Sequence, residues 1–334
     1  MLTRKAALIG ALGALCVLPA RTQAQDITFF RIVTGGTVGT YFPIGGLVAN
    51  AISNPPGSRP CNEGGSCGVQ GLVATSVASN GSVANVAAIA AGTAQSGFVQ
   101  SDVAYWAYTG SGIYEGRGKI ETLRAVTSLY AESIHLVVRR GSGIRSVADL
   151  RGRRVSLDEP GSGTLVDARL ILAAFGLSER DLKPEYLSAQ RVSDAFKEGI
   201  IDAFFSVSGW PQSGVAELAT TVGIELVPIE GPQVEGLLRQ YGFLSADEIP
   251  DNAYKNVAGV KTVSVHALWL TSSKQSEDLI YKITAALWNP STRKLLDSGH
   301  AKGRDIRIET ALAGVGIPLH AGAEKFYRER GIVK

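Results

Sequence analysis

The sequence predicts an α/β protein whose largely parallel sheets are covered by helices. The first observation is alternation: short β-branched and aromatic runs change places with helical patterns along most of the 334 residues. The second is length, which exceeds what one hydrophobic core commonly organises and so predicts two globular lobes. The third is punctuation: 39 glycines against 13 prolines, in a chain 45% hydrophobic, place turns between runs apolar enough to be buried.

The elements follow in order. Residues 28–34 read as a strand stopped by Gly35 and Gly36, and 43–53 as a helix with Pro43 in its first turn. Residues 72–76 and 96–99 are strands, with helices over 81–91 and 102–108. Two strand runs in close succession, 123–129 and 134–138, precede a strand at 154–157 and an amphipathic helix over 164–175. Runs at 185–187, 203–206 and 224–228 continue the alternation. The C-terminal part is mostly helical, clearest at 275–288, where Leu279, Ile280, Ile283, Leu287 and Trp288 share a face.

The N-terminus has the three parts of a cleavable export signal. Arg4 and Lys5 open it, an apolar run follows from Ala6 to Leu18, and Thr22-Gln23-Ala24 puts small residues at the cleavage positions. Processing after Ala24 is expected. The run is shorter than the ~20 residues of a spanning helix. A lipoprotein anchor at Cys16 is the alternative, with Leu15 standing where a small residue would be wanted.

Charge argues against a nucleic-acid or anionic-lipid binder, and cysteine usage agrees with export. Of 33 Lys and Arg, three (Arg4, Lys5 and Arg21) lie in the leader, leaving 30 against 30 Asp and Glu. A near-neutral mature chain carries no overall basic field. Without Cys16, Cys61 and Cys67 remain as an even pair in a Gly/Pro-rich loop, which reads as a disulfide in an exported chain. No histidine lies near them to complete a zinc site.

Three turns carry the chemistry, each between a strand and a helix: residues 34–43, 79–85 and 158–164, rich in Gly, Ser and Thr. A helix N-terminus exposes unpaired N–H groups and a partial positive charge, so it holds a carboxylate or phosphate without Lys or Arg. Ser and Thr there are also ordinary caps. Glu132, between Tyr130 and His135, reads either as a partner for a ligand amine or as a hinge residue. Trp210, before Pro211, reads equally as a stacking platform and as packing, while Tyr41 in the first turn reads as a pocket wall. Enzyme signatures such as G-x-x-x-x-G-K-[ST], H-E-x-x-H and C-x-x-C do not occur. His135, His266, His300 and His320 are scattered. No cofactor or metal ligand set is expected.

The order of these segments resembles the TAXI-type solute-binding proteins, the extracytoplasmic receptors of one branch of TRAP transporters. The resemblance rests on Thr34-Gly35-Gly36-Thr37-Val38-Gly39-Thr40-Tyr41, Gly81-Ser82-Val83-Ala84-Asn85 and Gln100-Ser101-Asp102. It continues through Leu129-Tyr130-Ala131-Glu132, Pro160-Gly161-Ser162-Gly163-Thr164 and Pro318-Leu319-His320-Ala321-Gly322-Ala323. The loop around Cys61 and Cys67 is longer than the simplest members carry.

The resemblance implies a two-lobed periplasmic-binding-protein fold, type II-like, with crossing hinge strands. Lobe one would hold residues 25–128 and 260–334, lobe two residues 129–259, and residues 261–270 would be the returning strand. A small carboxylate (a glutamate-like amino acid, 2-oxoglutarate or a C4-dicarboxylate) would be enclosed between the lobes by a monomer and handed to a TRAP-type permease. Thr37, Gly39, Tyr41, Ser82, Asn85 and Gln100 would face the cleft from lobe one, and Ser162, Gly163, Thr164, Ser208 and Trp210 from lobe two. Ser128 and Glu132 would sit near the hinge. No Arg or Lys lies within the matched motifs, so a cationic clamp would come from elsewhere, such as Arg139, Arg169 or Arg191. Two other readings stay open: an extracytoplasmic enzyme with Glu132 or His135 as base, and a solute sensor.

Overall fold

A computed structural model describes residues 26–334; the export signal and Cys16 lie outside them. The chain begins with β1 (Thr28–Val33), α1 (Tyr41–Ile52), the short strands β2 (Ser53–Asn54) and β3 (Val69–Gln70), and β4 (Leu72–Val77). Then come α2 (Ser82–Ala90), β5 (Ser96–Gln100), α3 (Ser101–Thr109) and the long strand β6 (Leu123–Arg139). The middle of the chain supplies β7 (Arg154–Ser156), α4 (Gly163–Ala174), β8 (Lys183–Glu185), α5 (Ala189–Lys197), β9 (Ala203–Ser208), α6 (Ser213–Thr221) and β10 (Ile224–Leu226). The last elements are α7 (Pro232–Gln240), β11 (Ser245–Ile249), β12 (Val260–Ser272), α8 (Glu277–Leu287), α9 (Pro290–Gly299) and α10 (Ala321–Glu329).

Ten strands join in one sheet along the path β4-β1-β5-β12-β6-β9-β7-β8, with β10 on β6 and β11 on β12. The pairs β1–β4, β1–β5, β7–β8 and β7–β9 are parallel, as βαβ crossovers require. The centre is antiparallel. β6 runs beside β12 from Leu123↔Ser272 to Ser133↔Ser264, then leaves it for β9 from Ser133↔Ser208 to Val138↔Ala203. β12 does the converse, pairing β11 over 260–264 and β5 over 267–271. Two strands therefore cross from one flank to the other, and Glu132 and Ser133 stand where they cross.

The sequence reading divided β6 in two at Tyr130–Ser133. The strand is continuous, 17 residues long and buried along almost its whole length. Polar residues can lie within it because they find partners: Glu132 accepts from Tyr41, and Ser133 Oγ donates to Asp247 Oδ2 at 2.6 Å.

Separate apolar clusters support the two flanks. Phe30, Ile44, Phe98, Trp269, Ile280 and Phe326 pack on the β5 flank, joining α1 and the C-terminal helices to β1, β5 and β12. Val137, Phe196, Phe204, Val215 and Leu218 pack on the β9 flank. A third cluster spans both, bringing Val99, Val103 and Trp106 together with Leu165, Ile171, Leu172 and Phe243. Cys61 and Cys67 are bridged, as expected, with Cα atoms 4.7 Å apart.

Candidate functional site

The turns that lead into α1, α2 and α4 converge where β6 and β12 cross. Between them lies a cavity of about 80 Å³. At roughly 10–15 Å³ per water, it has room for about half a dozen water-sized groups. From the β5 flank it is lined by Gly39, Tyr41, Ser82 and Gln100, from the β9 flank by Ser162, Gly163, Thr164 and Ser208, and by Glu132 at the crossing. It adjoins a recess of about 20 Å³ walled by Val192, Phe204, Phe205 and Val215 on its apolar side and by Asp158, Ser193, Ser206 and Gln212 on its polar side.

The donors come from specific local geometry. α4 starts at Gly163, with Ser162 as its cap, and Ser162 Oγ accepts from Leu165 N at 3.1 Å. The amides of Gly163 and Thr164 have no acceptor within the helix. Thr164 Oγ1 accepts from Val207 N at 3.1 Å, which ties α4 to β9. Both hydroxyls therefore carry a structural bond, and their protons bear on the Asp158 carboxyl, whose charged form they favour. Ser208 Oγ is buried without a hydrogen-bond partner.

The second turn is not aimed at a ligand alone. Ala84 N, in the first turn of α2, donates to Gly161 O at 3.0 Å, and Asn80 Nδ2 donates to Pro160 O at 3.1 Å. The two turns thus hold each other across the sheet. Gly81 takes φ 113° at this contact, where a Cβ would lie 3.4 Å from Ser162 Cα. Only glycine adopts that conformation readily.

Acidic groups dominate the electrostatics. Tyr41 Oη donates to Glu132 Oε2 at 2.6 Å, and both residues are buried. Burial pushes the Glu132 carboxyl up to about 8, with the charge of Asp102 adding to this and the Tyr41 bond and Lys302 opposing it. Asp158, another lining residue, is pushed up to about 6, again chiefly by burial. Among the described residues, no Lys or Arg lines the cavity. The suggested clamps are engaged elsewhere or point away: Arg139 lies over the Phe196 ring and donates to Phe196 O, and Arg169 pairs with Glu179 at 2.8 Å. Arg191 does not reach the lining either.

Four of the expected site residues lie outside the lining. Thr37 is exposed on the first turn. Asn85 is fully buried and committed: Nδ2 donates to Thr34 O at 2.6 Å and Phe98 O at 2.7 Å, and Oδ1 accepts from Ser79 Oγ. Trp210 receives this chain's own cation, Lys302 Nζ 4.3 Å from its ring centroid. Ser128 Oγ sits 3.3 Å from His266 Nδ1 and takes no part in the lining. His135 is turned away too: Nδ1 meets Ser133 O and Nε2 meets Tyr254 Oη.

Sequence reasoning passed over Asp158, Gln212 and Thr40. Gln212 caps α6 through Oε1 and reaches Val38 O with Nε2 at 3.1 Å, and Thr40 Oγ1 donates to Gly209 O at 2.9 Å. These contacts close the first turn onto the β9–α6 loop. Asp158 and Thr40 stood within the glycine-rich turns, whereas Gln212 carried no local signal.

Residues 32–331 match the NMT1-like family. The chain belongs to this family. Among solved structures, this NMT1-like protein shares its fold with a protein of Bordetella bronchiseptica RB50 at 16% identity and TM-score 0.52, over 91% of this chain and 82% of that one. The alkanesulfonate-binding protein SsuA from Xanthomonas axonopodis pv. citri bound to MOPS is similar at 17% identity and TM-score 0.46, covering 93% and 96%. A putative L-cystine ABC transporter from Listeria monocytogenes follows at 13% identity and TM-score 0.48, covering 84% and 98%. No helix among the described residues of this NMT1-like protein is long and apolar enough to cross a membrane.

Proposed function

We propose that this NMT1-like protein is an extracytoplasmic solute-binding receptor of the TAXI type, which encloses a small carboxylate and delivers it to a TRAP-type permease. Residues 25–128 with 260–334 form one lobe and 129–259 the other. The chain works as an exported monomer without a cofactor. One observation carries this reading: a single cavity at the strand crossing is lined by Gly39, Tyr41, Ser82 and Gln100 from one flank and by Ser162, Gly163, Thr164 and Ser208 from the other. A ligand touching both flanks favours the closed arrangement, which is how a receptor couples capture to shape.

The lining narrows the ligand class. The first turn of α4 offers its amides to a carboxylate. Glu132 offers an acceptor beside it, and the apolar side of the small recess suits a short tail. A ligand with its own amine or hydroxyl beside the carboxylate fits this better than a dicarboxylate without one, because the amine or hydroxyl can donate to Glu132. Glutamate-like and smaller amino acids therefore lead, ahead of 2-oxoglutarate and C4-dicarboxylates.

The test is a thermal-shift screen of refolded, ligand-free mature protein against amino acids, oxo acids, dicarboxylates, alkylsulfonates and sugars. A binder at about 100 times its Kd adds ~2.7 kcal/mol of stability. Stabilisation by amino acids, lost in Glu132→Gln, supports the reading. Stabilisation by sugars alone, or by no member of the panel, overturns it.

A further inference from the structure

Beneath Gln100 lie two carboxyls that ligand capture leaves unexplained. Asp102 stands in the first turn of α3 and Asp167 in α4, on opposite flanks, and both are fully buried. Gln100 Nε2 donates to Asp167 Oδ2 at 2.9 Å, while Gln100 Oε1 accepts from Ser82 Oγ at 3.2 Å. The two carboxyls lie within hydrogen-bonding reach of each other. Yet Asp167 Oδ1 and both oxygens of Asp102 are met by no well-aligned donor.

The surroundings offer no compensating cation. Glu132 of β6 bears on Asp167 with the same sign of charge, and Asp102 bears on Glu132 likewise. Tyr41 of α1 and Tyr130 of β6, the other titratable groups around Glu132, are also acids. Lys302 acts on Glu132 and His135, but it is bound to Asp305 at 2.8 Å and stacked on Trp210. Among the described residues no set of three His, Cys, Asp or Glu could hold a metal ion. Two ionised carboxylates in contact, buried without a counter-charge, are mutually excluded. One proton between them supplies the missing donor.

We propose that Asp102 and Asp167 share one proton when α3 and α4 pack together, and that this bond positions Gln100 in the cavity. With the proton on Asp167 Oδ1, Asp102 accepts it and Asp167 Oδ2 remains an acceptor for Gln100 Nε2. The amide is then held with Oε1 toward Ser82. The pair acts through Gln100, so both are positioning residues. Burial supports this: it pushes Asp102 up to about 7 against the pull of the α3 first-turn amides, and Asp167 well above its ordinary value. The role of Gln100 rests on the receptor reading; the shared proton does not.

The linkage has a definite sign. An unfolded aspartate titrates near 3.8, whereas Asp102 of the folded pair gives up its proton at about 7 and Asp167 keeps the shared one above that, so the stability that the Asp102 proton brings is complete below the first value and lost through the second. Within that window the unfolding constant rises about tenfold per pH unit for the one proton. Urea unfolding of the mature chain, followed between about pH 4 and about pH 8, should show a wild-type slope that contains this proton alongside those of the other raised carboxyls, Asp167, Glu132 and Asp158. Asp102→Asn should reduce it by one proton, while Glu132→Gln should leave the aspartate contribution in place. Carboxyl NMR of wild-type chain carrying carbon-13-labelled aspartate gives a second readout that needs no variant. Two coupled resonances keeping one proton to near neutral pH support the proposal. Equal slopes in wild type and Asp102→Asn, or every aspartate fully ionised above about pH 5, would overturn it. Neither measurement uses a ligand, so either result stands apart from the outcome of the ligand screen.

Discussion

Tyr41 Oη meets Glu132 Oε2 at 2.6 Å, joining the first helical residue of α1 to the point where β6 leaves β12 for β9. The bond makes a polar residue tolerable inside a buried strand, and it places an ionisable group in the cavity wall. The Glu132 carboxyl, pushed up to about 8 mainly by burial, binds a proton in the folded chain over a range where an unfolded glutamate does not. Its contribution to stability is complete below about 4.5 and lost as pH rises through about 8. Glu132→Gln should flatten that decline in urea titrations run at successive pH values. A ligand ammonium requires the ionised form, so affinity for amino acids should fall up to tenfold per unit as pH drops below about 8. Calorimetry across that range checks this.

A Cβ at Gly163 would lie 1.3 Å from Gln100 Oε1, so a side chain there must displace the Gln100 amide from the cavity wall. Gly163→Ala should therefore weaken ligand binding strongly while the apolar clusters of both flanks still fold. Weakened binding with a retained cooperative melt is the expected result. Ser162→Ala should cost about 1 kcal/mol through the lost cap, read from the urea midpoint, with a further loss of ligand affinity.

Asn85 carries three hydrogen bonds inside the β5 flank. Asn85→Ala removes the Nδ2 bonds to the buried carbonyls of Phe98 and of Thr34, the latter still reached by Ser79 Oγ at 3.0 Å, and a buried group left unpaired costs about 1–3 kcal/mol. A fall in stability of a few kcal/mol, with ligand affinity unchanged in the protein that remains folded, is the expected outcome of parallel denaturation and calorimetry.

Trp210 and Lys302 face each other across the β9–α6 loop and the C-terminal segment, 4.3 Å apart. If ligand release parts the lobes, this contact breaks and Trp210 passes into water. Tryptophan fluorescence should therefore change on ligand addition, and Trp210→Phe should remove most of the change. The cation–π contact lends the closed form about 0.5–2 kcal/mol, so Trp210→Ala should also weaken ligand binding modestly.

Much of this was legible in the sequence. The order of strands and helices, the glycine-rich turns before α1, α2 and α4 and the bridge between Cys61 and Cys67 all follow from local signals. Backbone propensity, helix capping and an even cysteine pair act over a few residues, and such signals are written consecutively. Of the expected site residues, Gly39, Tyr41, Ser82, Gln100, Ser162, Gly163, Thr164, Ser208 and Glu132 do meet at one cavity.

What only the tertiary structure decided is which side of each turn is occupied, and by what. Asn85 and Trp210 have side chains able to bind a ligand, yet Thr34 and Phe98 claim the one and Lys302, 92 residues further along the chain, claims the other. Tyr130–Ser133 reads as a break because buried polar residues are costly without partners, and those partners come from α1 and β11. Asp102 and Asp167 are ordinary helix residues in sequence. Their coupling exists only because α3 and α4, from opposite flanks, exclude water from between them. Local order is set by neighbours in the chain, whereas charge, proton occupancy and binding are set by neighbours in space.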